Sequence, residues 1–515
     1  MKKVIYEIIV VLFVCLTSQN SAFSQISDLA RLFDESDYTP TTVSSHYALL
    51  PDEAFSHTQI MNIPETNQSN LLHKVLIIVD STLYSKLEFD IDRYAYDIHY
   101  VYGCNVIMER VDSETCQDIK NLILSYSYTL DGCVFIGDIV PAFYKAYDVC
   151  LTNPKHAIWP CDMYYMDLTG VWTDSDQDNI FDQYSGDTIP EIFVGRISTA
   201  NMGNVIGEVG GLKLYLNKNH KYWIGHRKLN KKYALSYTNR DWVPNPIDTP
   251  YMASVFNNSI QSLYGFNHYD HINARENSGI FGKTDYLQRL NNDRYEFIQL
   301  ASHSSATAHV KFKGSTITGY EIASNEKKSL GYNLFCCSAC CWTEASPSNA
   351  FLAGDYIYSQ NSDGLCVVGS TKAGGMYPFA DFYSSLGEGN TMGQALVDWW
   401  SSYSMPSYTQ QQILCWNFGL TIIGDPLVNF FHCTNSTCQD NLTLTSYNSS
   451  LSPVSYYLAS ESISVAPPSL GAFNIPVGDH CIFSAPSVLI DGAFLCPLGS
   501  SMEINNEGCE QNCDE

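Results

Sequence analysis

The apolar residues of this chain fall into short unbroken runs set between polar, turn-rich stretches. HKVLIIVD (73–80) and GCVFIGDIV (132–140) have the continuous hydrophobicity of strands buried on both faces. Between them, EFDIDRYAYDIHYVYG and SETCQDIKNLILSYSY repeat apolar positions at helical spacing and predict amphipathic helices. Strand, helix, helix, strand predicts an α/β sheet containing parallel strands. A helix predicted from about Asn204 to Trp223 leads to a second unit of the same kind. Its buried strands are KKYALSYT (231–238), YEFIQLASH (295–303), YNLFCCSA (332–339) and GLCVVGST (364–371). After CWNFGLTIIGDPLVNFF (415–431) the pattern changes to a Ser-rich tail nearly free of Lys and Arg, with short β segments such as ESISVAPP, HCIFSAPSVLI and SSMEI.

The start of the chain reads differently. Lys2 and Lys3 precede an apolar run from Ile8 to Leu16, and Ala22-Phe23-Ser24 supplies small residues at a cleavage site. That run is about half of what a bilayer span requires, so residues 1–24 are expected to be a secretory signal peptide. Residues 25–70, polar and aperiodic, are read as a linker or pro-segment. The expected organisation is then an N-terminal α/β subdomain over 71–225, a second, catalytic one over 226–432, and a small β module over 438–515. No later apolar run is long enough for a transmembrane segment.

A formal charge of −26 excludes nucleic acid and anionic membrane as natural partners, since both would repel the chain. Export makes disulfides admissible, and eighteen cysteines invite them. Once Cys15 leaves with the leader the number is odd, so full pairing would leave one thiol free. At least one disulfide is expected in the tail.

Two stretches carry candidate chemistry. Asp174-x-Asp176-x-Asp178-x-Ile180-x-Asp182 places carboxylates at alternating positions with a backbone carbonyl near Ile180, the donor pattern of a calcium loop. A solvated acidic turn is the alternative. NLFCCSACCW (333–342) packs four cysteines beside a strand end. Such a run cannot turn four thiolates toward one zinc, but Cys340, just past the strand, could be a nucleophile. FIQLASHSS places His303 just after another apolar strand, 37 residues earlier, where it could serve as acid and base. His309 is a second candidate base.

These residues resemble those of the gingipain-type cysteine peptidases of the caspase-like clan. The resemblance rests on Ala301-Ser302-His303-Ser304-Ser305 and Ser338-Ala339-Cys340, with LDGCVFIGDIVP, IPEIFVGRIS, GLCVVGSTKAGG and FGLTIIGDPLV in the family's order over about 71–430. It implies an α/β fold of two caspase-like subdomains with mainly parallel sheets. It implies an endopeptidase with protein or peptide substrates that needs no catalytic cofactor, calcium serving only to stabilise a loop. Cys340 would attack the scissile carbonyl and His303 protonate the leaving amine. The backbone N–H groups of Cys340 and Ser304 would hold the oxyanion, with Ser304 standing where the family has Gly. Asp241 would supply a third acidic group. Asp248, Lys372 and Met376 would line the specificity pocket. The tail is similar to short β-stack modules of exported Gram-negative surface proteins, which implies a secreted or cell-surface location with attachment through that module. The rival reading is a catalytically inactive surface or adhesion protein, in which Cys340 is locked in a disulfide.

Overall fold

The computed structural model describes residues 54–63, 74–148, 155–202, 207–223, 232–239, 259–265, 267–273, 282–312, 315–336, 338–344, 350–402, 410–431, 439–444, 454–467, 472–477, 479–498 and 500–505. Its centre is one eleven-stranded sheet. The strands are β1 (Ser56–Ile63), β2 (Lys74–Asp80), β3 (Asn105–Asp112), β4 (Gly132–Ile136), β5 (Phe193–Ile197), β6 (Ala234–Thr238), β7 (Tyr269–Asn273), β8 (Phe297–Ala301), β9 (Gly331–Phe335), β10 (Cys366–Ser370) and β11 (Leu420–Gly424). Their order is β1-β3-β2-β4-β5-β11-β10-β9-β8-β6-β7. The two α/β units expected from the sequence are therefore joined edge to edge into a continuous sheet.

Pairing is parallel except for β1 on β3 and β10 on β11. Because β11 lies antiparallel to β10 yet parallel to β5, the two halves of the sheet run in opposite directions. The carboxyl ends of β8, β9 and β10 thus share one edge, and those of β2, β4 and β5 lie at the other. The interiors of β2, β4, β5, β6, β8, β9, β10 and β11 are fully buried, which is why most of them read as apolar runs. Ser56–Ile63, assigned to the linker from sequence, adds the edge strand β1.

The helices on the faces are α1 (Ser81–Asp97), α2 (Cys116–Tyr126), α3 (Glu208–Trp223), α4 (Lys283–Leu290), α5 (Gly319–Ser324), α6 (Leu352–Ile357), α7 (Ala380–Gly387) and α8 (Met392–Ser402). Asp80 caps α1 by accepting from the Leu83 N–H at 2.7 Å, and Thr115 with Asp118 forms a capping box on α2. No helix among the described residues is long and apolar enough to cross a membrane.

Asp425 ties α1 and α3 to the end of β11. Its carboxylate accepts from the Tyr94 hydroxyl (2.9 Å), the Asn219 amide (2.8 Å), the Trp223 indole (3.2 Å) and the Leu427 N–H (2.9 Å). Next to it, Pro426 packs on Gly195 of β5 so closely that a Cβ there would lie 2.5 Å from the proline ring.

In the tail, strands of parallel register stack with inward aromatics in ladders. Tyr457 lies over Phe483 at 5.6 Å and Phe473 over Phe494 at 5.9 Å, each pair at matching positions of neighbouring strands. Among the described residues of the tail no disulfide is formed. Cys481 is a free thiol in the module's core, and Cys496 is a free, exposed thiol near the Ser500 hydroxyl at 3.4 Å. Stacked aromatics line the core of the described part of the tail. Among the described residues no disulfide is formed anywhere in the chain.

Candidate active site

β8 and β9 are adjacent and parallel, with Ala301 opposite Phe335. His303 follows two residues after the end of β8, and Cys340 five residues after the end of β9. The two segments singled out by sequence therefore leave the sheet side by side, at the edge where an open α/β sheet places its ligands.

After His303 the chain turns into a small antiparallel sheet, in which Ser304 pairs with His309 and Ser305 with Ala308. The Val310 N–H donates to the His303 carbonyl at 2.9 Å, closing the hairpin. Ser304 is not among the residues with positive φ, so serine fits there without strain where the family carries glycine. His309 does not face a groove. It is fully buried between the Ser302 hydroxyl (3.2 Å) and the Tyr356 hydroxyl (2.8 Å), and Tyr356 continues to Tyr286 at 2.7 Å. Burial pushes the His309 imidazole down to about 3, so it stays neutral. Ser302 also meets the Cys336 sulfur at 3.4 Å, linking the ends of β8 and β9.

Beyond β9 the chain turns sharply at Ser338, whose φ is 56°. Its buried hydroxyl has no hydrogen-bond partner. The Ser338 N–H donates to the Lys372 carbonyl and the Cys340 N–H to the Ser370 carbonyl, both at 3.1 Å, which pins the turn to the end of β10. Cys340 is a free thiol with no exposed surface, and burial, then the neighbouring Cys336 and Cys341, push it well above the usual thiol range. Its sulfur rests on Gly369, where a Cβ would lie 2.8 Å away. Helix α6 holds both loops. The Leu352 N–H donates to Ala306 (2.7 Å) in the His303 hairpin, and the Ala353 N–H donates to Ala339 (2.8 Å) beside Cys340.

Trp342, two residues past the cysteine, lies over Arg196 at 4.5 Å. The Arg196 guanidinium grips Asp162 from Nε (2.9 Å) and its second terminal nitrogen (2.7 Å) and donates to the Ile139 carbonyl (2.7 Å). Sequence reasoning treated Arg196 only as part of a motif; its partner Asp162 is distant in sequence and nothing in the local pattern announces it.

Lys372 is buried, its ammonium donated to the Ala373 and Cys415 carbonyls and set 5.0 Å from the Trp159 ring, so it is turned away from any open wall. Met376 is buried just before the cis Tyr377–Pro378 bond. Asp241 and Asp248 lie outside the described residues.

In the acidic loop, one oxygen each of Asp174, Asp176 and Asp178 lies within 4.8 Å of the others. Lys145 already reaches into this group, at 2.6 Å from Asp176 and 2.7 Å from Asp178. Asp174 accepts from the Gln177 and Asn179 N–H groups, each at 2.8 Å, and Asp182 from the Ser175 N–H at 3.0 Å. Ile180 points its side chain inward. The donors are hard oxygens suited to calcium, with an ammonium competing for two of them.

A mainly parallel α/β sheet that sends a histidine and a cysteine from neighbouring strand ends into adjoining loops is the architecture of the caspase-like cysteine peptidases. The family model of peptidase family C25 matches residues 108–431. The chain belongs to that family, the gingipain family of cysteine peptidases. No curated protein matches the chain.

Proposed function

We propose that the protein is an exported cysteine endopeptidase acting through Cys340 and His303. The observation that carries this reading is a free thiol and an imidazole leaving adjacent parallel strands, in a chain of a cysteine peptidase family. Cys340 attacks the scissile carbonyl, His303 gives its proton to the leaving amine, and water releases the acyl-enzyme. Backbone N–H groups at Ser304 and Cys340 receive the oxyanion.

The state described is closed, because the sulfur is enclosed and the Cys340 N–H is donated to Ser370. Working chemistry requires the turn 338–341 to lift from β10, exposing the sulfur and freeing that N–H. Two features favour lifting: the left-handed Ser338 and its unpartnered buried hydroxyl. Each costs the closed turn on the order of 1–3 kcal/mol. A free Cys340 also favours an enzyme over an adhesion protein that locks this sulfur away.

The deciding test is peptide-bond hydrolysis and labelling by a thiol-reactive peptide in Cys340→Ala beside Cys341→Ala. The first variant loses both and the second keeps both; the reverse pattern moves the nucleophile to Cys341 and ends this assignment. The loop around Asp174 is read as a stabilising calcium loop, and the β tail as the means of display at the cell surface.

A further inference from the structure

A cleft of about 210 Å³ opens between α5, the start of α3 and the chain after α6. Thr199, Met202, Tyr320, Ser324, Tyr358 and Asn361 form its walls, and Asp355 of α6 lines it from inside. Asp355 is 5 % exposed. Among the described residues no hydrogen-bond donor meets its carboxylate, although nearly every buried carboxylate in a folded protein has one. One carboxylate oxygen instead lies against the backbone of Gly319, where even a Cβ would be only 2.2 Å away.

The nearest buried cation does not supply the missing partner. Lys327 acts on Asp355 only at a distance, its ammonium being given to the carbonyls of Ile322 (2.6 Å) and Asn325 (2.7 Å). Burial pushes the Asp355 carboxyl up to about 7, so it is poised between acid and carboxylate near neutral pH. A carboxylate so placed is stabilised by a cation that brings its own hydrogen-bond donors. The space equals roughly seven water volumes, enough for a butyl or propyl stem with a charged head. Met202, Tyr320 and Tyr358 offer apolar surface to such a stem, and Thr199, Ser324 and Asn361 add polar side chains to the lining.

We propose that this cleft is a second binding site, which takes the ammonium or guanidinium of a basic side chain in a peptide and pairs it with Asp355. The carboxylate gains the donor it lacks, and the aliphatic stem is covered by the tyrosine and methionine walls. The site neighbours the catalytic loops, since α6 is fastened at its first residues to the His303 hairpin and the Cys340 turn. The proposal does not rest on catalysis by Cys340.

The test uses the full mature chain carrying Cys340→Ala, so that no turnover consumes the probe. Nα-acetyl-lysine methylamide and its neutral analogue Nα-acetyl-norleucine methylamide are titrated at pH 8 by calorimetry and saturation-transfer NMR. The lysine probe is expected to bind at least tenfold more tightly than the norleucine probe, a preference that Asp355→Asn removes. Ser324→Lys, a change at the exposed rim, supplies a tethered ammonium and weakens the lysine probe by a similar factor even if Asp355→Asn fails to fold. Equal binding of the two probes overturns the proposal. So does a lysine preference that survives Asp355→Asn or Ser324→Lys, because the probe then sits elsewhere, for instance in the groove beside Cys340.

Discussion

Replacing Arg196 by alanine should both loosen the fold and disturb the cysteine turn. Arg196 and Asp162 are buried together, with side chains 4 % and 0 % exposed. Without the guanidinium, Asp162 keeps only the Thr421 hydroxyl at 2.6 Å among its side-chain donors described here. Breaking one partner of a buried, hydrogen-bonded pair costs about 3–5 kcal/mol. Loss of the cation from the face of Trp342 adds about 1–2 kcal/mol. The sum, roughly 4–7 kcal/mol, is comparable to half the stability of an ordinary domain.

Two further variants separate charge from shape. Arg196→Lys keeps the charge but loses the fork, and is expected to cost about 2 kcal/mol. Arg196→Met combined with Asp162→Leu removes both charges and should recover part of the loss seen with Arg196→Met alone. Urea midpoints followed by tryptophan fluorescence measure the stability. The rate of Cys340 labelling, taken below the transition, reports on the turn that Trp342 anchors. An Arg196→Ala midpoint equivalent to less than about 1 kcal/mol of change would refute the electrostatic reasoning. A double variant no better than Arg196→Met would do the same.

Asp425→Ala strands the Tyr94 hydroxyl, the Asn219 amide and the Trp223 indole in the core, so a loss of about 3–5 kcal/mol is expected in the same urea assay. Lys145→Ala removes the ammonium that shares Asp176 and Asp178, and should tighten calcium binding to the loop at least several-fold by calorimetry; unchanged or weaker affinity would dismiss the calcium reading. His309 is held neutral when folded and returns to an ordinary imidazole when unfolded. The unfolded chain therefore binds the extra proton, and the contribution of His309 is full above about pH 6.5 and falls away as the pH drops toward 3. His309→Gln should flatten the stability profile across that interval, by several kcal/mol, about 1.4 for each pH unit of the shift.

Much of the sheet was legible because buried parallel strands need uninterrupted apolar runs. The runs in 73–80, 132–140, 231–238, 295–303, 332–339 and 364–371 all contain strands. β3 escaped notice because NVIMERVD carries Glu109 and Arg110 in its middle. Glu109 is nevertheless buried, its carboxylate accepting from the Tyr126 hydroxyl at 2.6 Å and meeting His57 at 3.1 Å. Those partners come from other elements, so local pattern could not show them. β1 escaped because its first four residues are exposed and polar, and its apolar Ile60, Met61 and Ile63 are only partly buried on the core. At the site, His303 and Cys340 could be found as residues next to strand ends, whereas the enclosure of the sulfur depends on Gly369 and on a hydrogen bond to Ser370, both contributed by β10.

The motifs that carry the family resemblance divide by what they do. In the proposed function His303 and Cys340 hold the chemistry, beside a Ser304 whose φ is not positive. The Val-Gly-Arg and Gly-Asp-Pro segments instead build the seam between the two halves of the sheet. Gly195 and Arg196 lie opposite Ile422 and Ile423, Gly195 receives Pro426, and Asp425 ties the helices behind. This seam also reaches the cysteine, because Arg196 carries Trp342 on its face and Trp342 is two residues from Cys340. The strand ladder across the join fixes the strands but not the loops beyond their ends, so a loop needs a reference of its own. The pair Arg196–Asp162 supplies that reference from the N-terminal half, which explains why a residue without chemistry of its own belongs to the motif.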